Sequence, residues 1–137
     1  MNRSKLEWIA TREDMKNFLQ RYRIGEERSH MLEERRRRII GELRAAHPGP
    51  APMIDEIETR FVAQQREAES MMLQVVELIE QLPDSTERTI LELRHIHCLS
   101  WKQIASALYI SLTNAYTHYS AALDQLLRNS FLDVPSE

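Results

Sequence analysis

The chain has 137 residues, with 18 Lys and Arg against 21 Asp and Glu, three glycines and one cysteine. These numbers fit one domain, or one small domain with an extension, built almost wholly of helix. They leave no disulfide framework, no apolar run nears the ~18 residues of a membrane span, and the charged opening MNRSKLEW has no signal-peptide core.

The charge is unevenly placed: net +4 over Met1–His47, −5 over Pro48–Leu82 and −2 over Pro83–Glu137. From about Ser4 to Ala46 the sequence has no proline, and Trp8, Met15, Tyr22 and Leu43 fall on one heptad seam with Phe18, Leu32 and Ile39. Leu19 and Ile40 widen the seam, while Ser29 and Arg36 interrupt it. The pattern predicts one long amphipathic helix. Gly25 is its weak point, and a kink or break is expected near it.

His47-Pro-Gly-Pro-Ala-Pro52 is a helix breaker, read here as a tight reversal. A second helix then runs from Met53 or Ile54 to Gln81. Ile54, Phe61, Ala68, Val75 and Leu82 repeat at seven, with Ile57, Gln64, Met71 and Leu78 between. The +4 helix should pair antiparallel with the −5 helix. The first helix is about 20 Å too long for its partner. Its excess, carrying Trp8 and Met15, should hang over the C-terminal residues or meet a partner. Met72, Val76 and Ile79 form a second stripe, expected to pack on the C-terminal domain or on another subunit.

After Pro83, Asp84 or Ser85 should cap a helix from Thr86 to Ile96 that turns Ile90, Leu91 and Leu93 inward. Ser100 with Gln103 has the spacing of a capping box, followed by Trp101, Ile104, Ala105 and Leu108 at helical intervals. Ser111 offers a second N-cap ahead of Asn114, and Ala115, Tyr119, Ala122, Leu123 and Leu126 give the next helix an apolar stripe. A short helix, a turn and a longer helix make a helix-turn-helix pattern. Phe131, Leu132 and Val134 are expected to cover the bottom of the core.

The residues Leu82-Pro83, Arg88, Ile90-Leu91, Leu93-Arg94, Leu99-Ser100-Trp101, Ile104-Ala105, Leu108, Ile110-Ser111, Ala122-Leu123 and Leu126 resemble region 4 of bacterial sigma factors, closest to the sigma-like regulators of phages and mobile elements. The resemblance covers the last third of the chain. It implies a module that docks on RNA polymerase and sets a recognition helix into the major groove of a promoter. Two departures stand out. Cys98 occupies the place of a usual glycine, and no Lys or Arg lies between Ser111 and Leu127.

On this reading Thr113 and Asn114 occupy the first turn of the recognition helix, with Ser111, Tyr116, Thr117 and Ser120 beside them as base-reading candidates. Lys102 and Gln103 are the candidate phosphate contacts. The bland alternative is an ordinary polar surface. Arg35–Arg38 spreads around its helix, as a solvated face does. His95 and Cys98 share a face but His97 points elsewhere, so no metal site is expected and His95 should pack. No phosphate loop or nucleophile motif suggests catalysis, and no cofactor is implied. Trp101 should anchor the core.

The sequence therefore predicts an all-α protein: a long antiparallel, coiled-coil-like helical hairpin over 1–82, then a three-helix helix-turn-helix domain over 83–137. The expected function is a cytoplasmic, homodimeric transcription regulator that contacts promoter double-stranded DNA, with RNA polymerase as a further partner and no enzymatic activity. The alternative is a protein-interaction module on the same scaffold.

Overall fold

The computed structural model of the chain describes residues 9–133, with side chains to Asn129, and all regular structure in them is helical. Trp8 and Val134 lie outside the described residues, as do the side chains of Phe131 and Leu132.

Thr11 starts helix α1 (Arg12–Leu19). Its hydroxyl accepts from the Asp14 N–H, and the Asp14 carboxylate accepts from the Thr11 N–H in return. The helical run is interrupted at Gln20 and resumes as α2 (Arg21–Ala46). The expected weak point, Gly25, lies instead within α2 and is buried. The interruption falls where the buried face changes partner. Met15, Phe18 and Leu19 of α1 join the C-terminal core, whereas Gly25 of α2 lies against α3.

Helix α3 (Pro52–Ile79) begins on proline, whose missing N–H costs nothing in a first turn. It returns antiparallel to α2. Arg44 reaches Asp55 and Glu58 at 2.8 and 3.0 Å, Arg36 reaches Glu58 at 3.3 Å, and Arg21 donates to the Gln74 side chain at 3.1 Å. Basic residues of one helix thus meet acidic residues of the other. With the first run divided at Gln20, the hairpin arms have 26 and 28 residues. The expected overhang is accordingly α1, and its Met15 is fully buried on the C-terminal helices. Gln64, expected on the seam, is exposed. The stripe at Met72, Val76 and Ile79 turns inward: Ile79 is fully buried, and Met72 lies beside Gly25.

Ser85 caps α4 (Thr86–Leu91), accepting from the Arg88 N–H. The helix widens into a π-helical turn over Glu92–Ile96. Cys98 then reverses the chain with φ 56°, in the left-handed region where glycine is at ease. A glycine at this position would take the same conformation without a steric cost. Helix α5 (Trp101–Leu108) and helix α6 (Leu112–Asp133) follow.

One core unites these parts. Ile9, Met15, Phe18 and Leu19 pack with Leu78, Ile79 and Leu82, and all of these with Ile90, Leu91, Ile104, Leu123 and Leu126. Leu82, at the expected domain boundary, is itself inside this core. On the outside, Arg12 holds Asp124 of α6 through two hydrogen bonds of 2.8 and 2.7 Å.

Candidate nucleic-acid interface

The caps of α5 and α6 form as their sequences dictate. The Ser100 hydroxyl accepts from the Gln103 N–H at 3.1 Å, and the Gln103 side chain accepts from the Ser100 N–H at 2.8 Å. The Ser111 hydroxyl accepts from the Asn114 N–H at 3.0 Å. Between the helices, Tyr109 takes a left-handed conformation, φ 58° and ψ 41°. The Tyr109 N–H then bonds to the Ser106 carbonyl and the Ile110 N–H to the Ala105 carbonyl, which closes α5 as a Schellman motif. The Tyr109 side chain is 96% exposed.

Helix α6 has two faces. Ala115, Tyr119, Ala122, Leu123 and Leu126 are buried, whereas Thr113, Asn114, Tyr116 and Thr117 are exposed. Ala105 on α5 and Ala115 and Ala122 on α6 are small residues buried in the interior. The exposed candidates are not equally free. Thr117 donates its hydroxyl to the Thr113 carbonyl at 3.0 Å. The Tyr116 ring packs on Trp101, with centroids 4.8 Å apart. Ser111 and Gln103 are occupied as caps, and Ser120 is half-buried. Asn114 and Lys102 are exposed.

Beneath this face lies an aromatic support. The half-buried Trp101 meets Tyr119 edge-on at 4.8 Å, and the Arg94 guanidinium lies 5.0 Å over its ring. The Tyr119 hydroxyl shares a 2.8 Å hydrogen bond with His95 Nε2. Burial, reinforced by the Arg94 charge, pushes the His95 imidazole down to about 4, and burial pushes the Tyr119 phenol up to about 12. Both groups are therefore neutral at pH 7. His95 is a packed polar anchor, as its position in the sequence suggested.

One contact and one backbone conformation escaped sequence reasoning. His118 Nδ1 lies 2.7 Å from Glu87, tying α6 to α4 and holding the Glu87 carboxyl below its usual range. Their separation of 31 residues left no periodic signal. Tyr109 was missed because nothing in its neighbours announces a left-handed tyrosine.

Residues 72–126 match a protein family described as Sigma-70, region 4. The match begins in the last two turns of α3 and ends within α6. It supports a sigma-factor-like helix-turn-helix kinship for this segment. No curated protein and no solved structure matches the chain. No helix among the described residues is long and apolar enough to cross a membrane.

Proposed function

We propose that this protein is a transcription regulator that reads promoter duplex DNA with the first two turns of α6, in the manner of sigma-like regulators of phages and mobile elements, and docks on RNA polymerase. The observation that carries the reading is the division of α6 into a buried apolar face and an exposed face of Thr113, Asn114, Tyr116 and Thr117. Amide and hydroxyl groups there have the chemistry to pair with base edges, and the threonine methyls to meet thymine methyls. Lys102, at the start of α5, supplies a phosphate contact. The test is selection on random duplex DNA by the full-length protein, with and without RNA polymerase. An enriched sequence supports the reading.

A second reading rests on a specific observation. No Lys or Arg lies between Ser111 and Leu127, so the reading turns of α6 bring no cation to neutralise phosphate. On that reading the same face, with exposed Tyr109, Leu112 and Tyr116, binds a protein such as polymerase instead. Absence of any duplex binding at low salt, with polymerase binding retained, would select it. Self-association as a homodimer is part of the proposal. Its motive is the exposed Ile24, Met31 and Leu73 on the hairpin, and sedimentation at micromolar concentration tests it.

A further inference from the structure

A half-enclosed cleft of about 330 Å³ opens where the start of α2 meets the π-helical turn, lined by Leu19, Gln20, Arg23, Arg94, His95 and Cys98. Its lining holds two guanidinium groups and no carboxylate. That is unusual in a chain whose net charge is −3. Several other arginines are paired with carboxylates: Arg12 holds Asp124, Arg36 holds Glu33 and Glu58, Arg44 holds Asp55 and Glu58, and Arg88 holds Glu92. Arg94 has no carboxylate within 4.0 Å among the described residues, and Arg23 donates to the Gln20 side chain at 3.1 Å and lies 3.9 Å from Glu27. Arg94 is half-buried and spends one N–H on the Leu99 carbonyl at 3.0 Å. Its other N–H groups remain to be used. Two arginines line one cleft, and guanidinium forks match tetrahedral oxyanions in charge and geometry.

We propose that this cleft binds a phosphoryl group. The volume accommodates a phosphate with a small attached moiety. The shared chemistry has two sources, a backbone phosphate of a bound duplex or a free phosphorylated small molecule. Neither is required by the base-reading role of α6, because Arg23 belongs to the hairpin.

The experiment uses full-length protein carrying Trp8→Phe, so that Trp101 is the only tryptophan and reports from 5.0 Å beneath Arg94. Inorganic phosphate is titrated at constant ionic strength, balanced with chloride. The expected result is a saturable change in Trp101 emission with a rise in Tm that chloride does not give. Arg23→Gln should weaken the apparent affinity by about tenfold or more, whereas Arg66→Gln, an exposed arginine of a different cleft on α3, should leave it unchanged. Arg94→Gln also removes the bond to Leu99, so Arg23→Gln, whose side chain is 54% exposed, is the deciding variant. An emission change equal in phosphate and chloride overturns the proposal, as does saturation unaltered by Arg23→Gln. A second arm adds a selected duplex. Displacement of phosphate by the duplex assigns the cleft to the DNA backbone. Phosphate binding that persists under saturating duplex, or in a protein that binds no duplex, assigns it to a small phosphorylated ligand. Failure of DNA reading therefore leaves this result standing, and the reverse also holds.

Discussion

Gly25 of α2 lies so close to Ala68 of α3 that a Cβ built on it would meet the Ala68 carbonyl oxygen at 2.6 Å and Met72 Cγ at 2.9 Å. The residue that looked like a flaw in the helix is a point of close approach between the hairpin arms. Alanine ordinarily improves a helix by ~1 kcal/mol over glycine. Here backbone would have to move, and overpacking of this kind costs about 1–3 kcal/mol. Gly25→Ala is expected to lower stability by about 1–2 kcal/mol in a urea unfolding curve, while Gly41→Ala, with nothing within 4 Å of its Cβ position, should raise it. A stabilised Gly25→Ala protein would show that the arms are farther apart than described.

Helix α5 lies between two left-handed residues that are not glycine, Cys98 at φ 56° two residues before its N-cap and Tyr109 at φ 58° at its C-terminus. A left-handed conformation costs an ordinary residue roughly 1–2 kcal/mol. Glycine removes that strain but adds freedom to the unfolded chain. The net expectation is a gain of about 0.5–1 kcal/mol for Tyr109→Gly, since a 96% exposed ring gives up no buried area. Tyr109→Ala should change little, because it keeps the strain. If alanine and glycine act alike in thermal unfolding, the effect belongs to the side chain and the strain argument fails.

How far the sequence was legible follows from the range of its signals. Heptad spacing exposed the hairpin, and cap residues exposed the starts of α4, α5 and α6, because both are local. The 3.6-residue stripe of Ala115, Tyr119, Ala122, Leu123 and Leu126 separated core from surface on α6, and all five are buried. Periodicity could not show that α1 leaves the hairpin. Met15, Phe18 and Leu19 fit the same seam as Leu32, and only tertiary packing distinguishes an α6 partner from an α3 partner. At the interface, spacing identified exposed candidates such as Asn114. It could not show that Gln103 and Ser111 are spent as caps or that Tyr116 leans on Trp101, since those uses depend on neighbours.

The buried His95 makes stability depend on pH. Its folded pKa is lowered from 6.5 to about 4, so between those values the unfolded chain binds more protons than the folded one. Stability therefore rises with pH across this window, is fully present above it and is lost as the pH falls toward 4. The integrated effect is on the order of 3 kcal/mol. The Glu87 carboxyl, held down chiefly by its hydrogen bond to His118, adds a loss in the same direction at lower pH. Urea midpoints measured from pH 7 to pH 4 should fall more steeply in the wild type than in His95→Gln, which has no imidazole to titrate. Parallel curves would mean that His95 is hydrated in solution.

The last expectation separates base reading from phosphate contact. A cation that neutralises one phosphate contributes about −0.9 to the slope of log affinity against log salt. Over residues 83–137 the only Lys and Arg are Lys102, Arg88, Arg94 and Arg128. Arg88 is bound to Glu92 at 3.0 Å and Arg94 lies over Trp101. A shallow slope, on the order of −2 to −4, is expected. Asn114 is exposed, and the bond near it runs from its backbone N–H to Ser111, which leaves the side-chain amide for adenine. Asn114→Ala should thus cost about 1–3 kcal/mol of discrimination between selected and scrambled duplexes and leave the slope unchanged. Lys102→Ala should weaken both duplexes alike and reduce the slope by about one unit. Gln103→Ala is the control for position: its side chain closes the capping box, so its cost should appear as lost helix stability of about 1 kcal/mol with no change in slope. Salt titrations of the three variants on both duplexes measure all of this. If Asn114→Ala and Lys102→Ala shift slope and discrimination together, the division of labour between α5 and α6 is wrong.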